Sequence, residues 1–104
     1  MPKQGFVKAV EEDKLSNNTL LVTLLDGVEV LICKVGGKIF ATSARCTHKG
    51  CSLSEGWIED GIIVCGCHLS KFDPHSGKVV KGPAETALKT FEVQDGEGYI
   101  WVKL

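Results

Sequence analysis

The sequence has no excess of either charge. Its 104 residues carry 12 Lys and Arg against 13 Asp and Glu, a formal net charge of −1, and its pI is about 6.3. That balance leaves no basic surface of the kind that binds nucleic acid or an anionic membrane. Long apolar runs are missing too. The longest, residues 20–25, contains Thr23 and is far too short to cross a bilayer. The N-terminal Met1-Pro2-Lys3-Gln4-Gly5 has no apolar h-region, so the expectation is a cytoplasmic protein without a membrane span. Helical periodicity is weak throughout, and repeats, low-complexity tracts and linkers are absent, which leaves one domain, 1–104, with one core. An even cysteine count is absent as well. Five cysteines are many for this length, but a secreted disulfide scaffold uses pairs. Four of the five cluster with two histidines and Cys33 stands apart, which favours a bound group over a stapled extracellular fold.

What recurs is short β-rich segments at spacings of about ten residues, the pattern of an all-β sandwich or barrel. Residues 20–25 and 28–32 flank Asp26-Gly27, a pair that tolerates positive φ and so marks a hairpin. Gly36-Gly37 marks a second, ahead of 38–41. Residues 62–64 lead directly into Cys65, and 78–81 follow the turn at 73–77. The last strands are expected at 88–93 and 99–104, joined by a loop at 94–98, and a single helical turn at 11–15.

Two segments carry the chemistry: Cys46-Thr47-His48-Lys49-Gly50-Cys51 and Cys65-Gly66-Cys67-His68, with sixteen residues between His48 and Cys65. Each offers a cysteine and a histidine at close spacing. Two thiolates and two imidazoles suit zinc or a mixed-ligand iron–sulfur cluster, because soft sulfur and borderline nitrogen favour those metals. A c-type haem is excluded, since Cys-Gly-Cys-His lacks the required two-residue gap. Thr47, Lys49, Gly50 and Gly66 suit tight loops rather than strand interiors. The metal is therefore expected in two loops at the tip of a β-subdomain at about 43–80, on a base formed by 1–42 and 81–104.

In this pattern the chain resembles the Rieske [2Fe–2S] proteins. The likeness rests on Cys-x-His and Cys-x-x-His through Cys46, His48, Cys65 and His68. It extends to Leu53-Ser54-Glu55-Gly56, Phe72-Asp73 with Ser76-Gly77, and Lys81-Gly82-Pro83-Ala84. The resemblance implies that Cys46 and Cys65 bind one iron, and His48 and His68 the other. It also implies three small antiparallel sheets, a cluster at an exposed tip, and a loop through Pro83 that shields the cluster. Two thiolates leave the oxidised centre formally neutral where four would leave a dianion. The potential should then lie at about −150 to +300 mV, against about −400 mV for all-cysteine clusters, with the added electron on the histidine-bound iron. Reduction raises the basicity of the imidazoles and so couples the electron to a proton.

Cys51 and Cys67 match a pair that forms a loop-locking disulfide in the cytochrome bc type of Rieske protein. Two buried thiols, or a redox switch, are the other readings. By the same likeness Ser70 donates its hydroxyl to a cluster sulfide. Phe72 stands where high-potential members carry a tyrosine, Leu69 where a glycine is common, and Gly66 where a proline is common. A potential below the respiratory range follows. The implied role is a soluble one-electron carrier, not an enzyme. It passes electrons from a reductase to a terminal oxygenase or another redox enzyme, and takes no small-molecule substrate. The bc-like cysteines argue instead for a respiratory or archaeal acceptor. The alternative is a Rieske-like small subunit of a reductase such as a nitrite reductase, and a structural zinc module is a third class.

The remaining features have simpler readings. Cys33 is a buried strand thiol, His75 an exposed turn residue, and Glu11-Glu12-Asp13 a solvated surface. Trp57, Trp101, Phe40 and Phe91 are expected to fill the core. Lys49, Lys71, Lys78 and Lys81 crowd the expected tip, either as solvated charge or as a docking patch for an acidic partner.

Overall fold

A computed structural model of the protein describes residues 5–47 and 49–104. Its strands are β1 (Phe6–Glu11), β2 (Thr19–Leu25), β3 (Val28–Val35), β4 (Lys38–Ser43), β5 (Trp57–Glu59), β6 (Ile62–Val64), β7 (Lys71–Phe72), β8 (Val79–Lys81), β9 (Thr90–Gly96) and β10 (Tyr99–Lys103). They form an antiparallel six-stranded sheet in the order β1-β10-β9-β4-β3-β2 and an antiparallel four-stranded sheet in the order β5-β6-β7-β8. The large sheet is two three-stranded halves joined by only two residue pairs, Ala41 with Phe91 and Thr42 with Thr90. The three small sheets implied by the resemblance are therefore these two halves and the four-stranded sheet.

Four hairpins turn through two-residue loops whose residues both take left-handed φ: Asp26-Gly27, Gly36-Gly37, Asp60-Gly61 and Glu97-Gly98. That geometry matches the right-handed twist of the flanking strands. It also shortens one expected loop. Gln94, Asp95 and Gly96 are not loop but strand, paired with Trp101, Ile100 and Tyr99. At the other end β9 begins at Thr90, because the Leu88 N–H bonds the Gly77 carbonyl instead of a neighbouring strand. The expected helical turn is a 3-10 turn over Glu12–Lys14.

β3 is the wall shared by two cores. Val30, Leu31, Ile32 and Cys33 are all fully buried. Alternation sends Val30 and Ile32 into a base core with Ile100 and Val102, and Leu31 and Cys33 into a second core with Ile63, Cys65 and Phe72. A continuous apolar run is what a strand covered on both faces requires. The second core joins the base to the four-stranded sheet, whose Ile58, Ile63, Phe72 and Val79 face it. Trp57, expected in the core, lies one residue out of that phase and is 44% exposed. Trp101 is half-buried and donates its indole N–H to the Gly96 carbonyl at 3.0 Å. Phe40 and Phe91 are half-buried against the second and the base core respectively. Among the described residues no helix is long and apolar enough to cross a membrane.

Backbone meets backbone where β5 begins. A Cβ on Gly56 would overlap the Val64 carbonyl, and one on Gly66 would lie 2.6 Å from the Glu55 carbonyl oxygen. Gly66 lies in the turn that its loop position suggested and also serves close approach; its φ is not left-handed. Gly56→Ala must push β5 away from the entry to Cys65. It should lower unfolding free energy by about 1–3 kcal/mol, read by urea denaturation; an unchanged midpoint would show that this contact is not tight in solution.

Candidate metal centre

Three loops close by the same pair of backbone hydrogen bonds. In the first, the Cys46 N–H donates to the Cys51 carbonyl at 2.8 Å and the Gly50 N–H donates to the Cys46 carbonyl at 2.8 Å. In the second, Cys65 donates to Ser70 at 2.8 Å and Leu69 donates to Cys65 at 3.0 Å. The third repeats the pattern over residues 73–78, with Asp73 donating to Lys78 and Gly77 donating to Asp73. The offsets along the chain are identical, so the fifth residue of each loop takes the left-handed conformation: Gly50 at φ 75°, Leu69 at 64° and Gly77 at 76°.

The first two loops place the expected donors. Cys46 and Cys65 open them, are outside any disulfide, and are 3% and 0% exposed within the second core. His68 is exposed three residues beyond Cys65. His48 lies outside the described residues. Cys51 and Cys67 form a disulfide that joins the loops, so of the readings open for this pair the loop-locking bond is the one observed.

A third segment ties both loops from the side. The Ala84 N–H donates to Ser70 Oγ at 3.0 Å, and Thr47 Oγ1 donates to the Thr86 carbonyl at 2.5 Å. Pro83 sits exposed at the head of this segment and Ser70 is fully buried behind it. Because Ser70 Oγ accepts from Ala84, its own hydroxyl hydrogen is left to donate elsewhere. Phe72 is fully buried and packs as a wall of the second core. Arg45, the chain's only arginine, grips Glu29 with two nitrogens at 3.0 and 3.2 Å. Its third guanidinium nitrogen donates to the Gly50 carbonyl at 3.2 Å, which fastens the first loop to β3.

Sequence reasoning missed Arg45, Glu29, Thr47, Ala84 and Thr86 as supports. Three of these contacts end on a main-chain atom, and the residue that supplies it leaves no signal in side-chain type. Lys71, counted among the tip lysines, pairs with Glu59 at 3.4 Å. Cys33 and His75 behave as expected. Burial pushes the Cys33 thiol up to about 12, so it stays protonated and inert. His75 is exposed with its ring 5.7 Å from that of Phe40.

Among the described residues, no three His, Cys, Asp or Glu side chains gather around one point; the fourth expected donor, His48, is not among them. The donor chemistry nevertheless fits an iron–sulfur group. Two thiols sit in a buried core at the bases of equivalent loops, with an exposed histidine three residues beyond one of them and a covalent link holding the loops together.

Residues 5–92 match the Rieske [2Fe-2S] domain. The chain is 43% identical over 65 residues to the ferredoxin component of biphenyl 2,3-dioxygenase from Rhodococcus jostii (strain RHA1), covering 62% of this chain and 61% of that one. It is 38% identical over 90 residues to the biphenyl dioxygenase ferredoxin subunit of Pseudomonas sp. (strain KKS102), covering 86% and 83%. A solved complex of reduced oxygenase and oxidized ferredoxin in carbazole 1,9a-dioxygenase contains a chain that superposes with a TM-score of 0.88 at 28% identity, over 97% of this chain and 94% of that one.

The disulfide bridges a sequence separation of 16 residues. Removing it with Cys51→Ser and Cys67→Ser together should lower unfolding free energy by about 3 kcal/mol. Denaturant titration without reductant reads this, and equal stability of the two proteins would show that the bond does not constrain the loops in solution.

Proposed function

Because the chain belongs to the family of Rieske [2Fe-2S] domains, we propose that it is the ferredoxin of a multicomponent dioxygenase system, taking single electrons from a reductase and delivering them to a terminal oxygenase. The observation that carries this is the pair of equivalent loops, each opening on a buried cysteine thiol and locked to the other by Cys51–Cys67. The relatives are ferredoxin components of dioxygenases, and this outweighs the respiratory acceptor that the bc-like cysteines suggested.

In this reading Cys46 and Cys65 hold one iron, and His48 and His68 hold the other. The bound group supplies a one-electron couple, raised above that of all-cysteine clusters by its neutral imidazole ligands. The chain's own residues do the rest. The second core keeps water from the thiol side. His68 presents its ring at the surface, where a partner can approach. Ser70 accepts from the Ala84 N–H, and its hydroxyl would be free to donate to a cluster sulfide, which would favour the reduced state. Phe72 supplies bulk without a second hydroxyl, and Pro83 covers the open side. Residues 43–80 act as the cluster-binding subdomain on a base of 1–42 and 81–104. Four protein donors would fill the terminal positions of the two irons and leave none open to a substrate, so the chain would carry charge and catalyse nothing alone. Its place of work in this reading is the cytoplasm.

The test combines this protein with the reductase and oxygenase components of a biphenyl dioxygenase system. Ring hydroxylation should depend on the chain and saturate with its concentration. Wild-type protein that takes up electrons from no reductase, or releases none to an oxygenase, would contradict the proposal.

A further inference from the structure

Resting on the carrier reading above, we propose that Arg45 is the positioning residue of the first loop: the fork it makes with Glu29 and Gly50, rather than its charge, keeps that loop on the bound iron–sulfur group and shares this load with the Cys51–Cys67 bond. Two observations carry this, one on how the loops are mounted and one on what flanks their cysteines.

The loops close alike but are mounted differently. The second loop ends a β-ladder. Ile63 pairs with Phe72 and Val64 with Lys71, and Cys65 with Ser70 is the next rung in the same register. Val64 is also paired on its other side, with Trp57. The third loop likewise continues β7 and β8, from Phe72 and Val79 to Asp73 and Lys78. The first loop has a stem of the same kind. There the Leu53 N–H bonds the Ala44 carbonyl, Arg45 bridges Ser52, and the Cys46 N–H bonds the Cys51 carbonyl. No described residue of 44–53 belongs to a sheet, however. Ala44 and Leu53 are buried at the foot of the stem, and no named strand is laddered to it. A two-stranded stem without a sheet beside it is marginal in water.

The residues beside each cysteine differ accordingly. Cys65 lies between Val64 and Gly66, which have no side-chain polar group. Cys46 lies between Arg45 and Thr47, and both reach out of the loop. Thr47 Oγ1 donates to the Thr86 carbonyl. Arg45 donates through Nε and Nη2 to the two oxygens of Glu29, and through Nη1 to the Gly50 carbonyl. Gly50 closes the loop, since its N–H donates to the Cys46 carbonyl. Glu29 belongs to β3 and is paired there with Leu24 of β2. One guanidinium thus joins a sheet-bound carboxylate to the residue that closes the loop, a tie that the ladder supplies in the second loop. A second carboxylate, Glu55, acts on the guanidinium only through space. The Arg45 and Glu29 side chains are 57% and 43% exposed, so water screens their attraction and the planar fork is what holds the loop. Lysine carries the same charge without the fork.

The test follows loss of visible absorbance from the iron-loaded protein in the presence of an iron chelator, with midpoint potential and amide hydrogen exchange, for wild type, Arg45→Met, Arg45→Lys and Glu29→Gln. Both Arg45 variants should lose the group about fivefold faster, the scale of one partly exposed charged contact. Both should also exchange faster across residues 46–51 and not across 65–70. Arg45→Lys should do so at the wild-type potential, which follows charge. Glu29→Gln should have a smaller effect in the same direction, and none once Arg45 is replaced by methionine. With Cys51→Ser and Cys67→Ser also in place, Arg45→Met should speed the loss by more than the product of the separate effects. An Arg45→Lys protein that keeps its group as wild type does, an Arg45→Met protein with unchanged exchange across 46–51, or effects of fork and disulfide that simply multiply would overturn this inference and leave the carrier reading standing. A wild-type protein that holds no iron would overturn both.

Discussion

The structure depends on holding two short loops in register, each opening on a buried cysteine thiol. Neither loop can do this alone. Each is closed by only two backbone hydrogen bonds around its cysteine, and a loop of that size samples many orientations relative to its neighbour. The Cys51–Cys67 bond removes that freedom. Ser70–Ala84 and Thr47–Thr86 add a third segment as a brace, and Arg45 ties the first loop to Glu29 on β3. A pre-set donor array is what lets a metal group accept an electron with little rearrangement, and rearrangement is what slows electron transfer.

Beneath the loops, β3 gives the array a rigid floor. Its four consecutive buried residues serve two cores at once. Movement of the four-stranded sheet against the base would open packing on the side of Leu31 and Cys33 that also houses Cys46 and Cys65. The thiols are thus part of a core that must stay dry, while His68 is at the surface. One end of the donor set is insulated and the other is accessible, as a carrier of charge between proteins requires.

Much of this was legible in the residues. Asp26-Gly27 and Gly36-Gly37 located their hairpins, and Asp60-Gly61 carries the same signal at the turn from β5 to β6. The spacing of Cys46, His48, Cys65 and His68 pointed to the metal. The strand at Gln94–Gly96 was hidden because Gln, Asp and Gly are ordinary loop residues, and only pairing with β10 makes them strand. Trp57 was misplaced because an aromatic residue reads as core, whereas its phase on β5 turns it outward. The braces at Ala84 and Thr86 use main-chain atoms, which every residue has. Leu69 was visible as a departure from the usual glycine, but its left-handed backbone was not.

The central claim is that thiolate and imidazole donors divide between two irons. The Mössbauer spectrum of the reduced, isotope-enriched protein tests it most directly. Two iron signals of equal area are expected, one of a ferric site with sulfur ligands and one of a ferrous site with nitrogen ligands. Two indistinguishable irons, or a folded protein that holds none, would contradict the account.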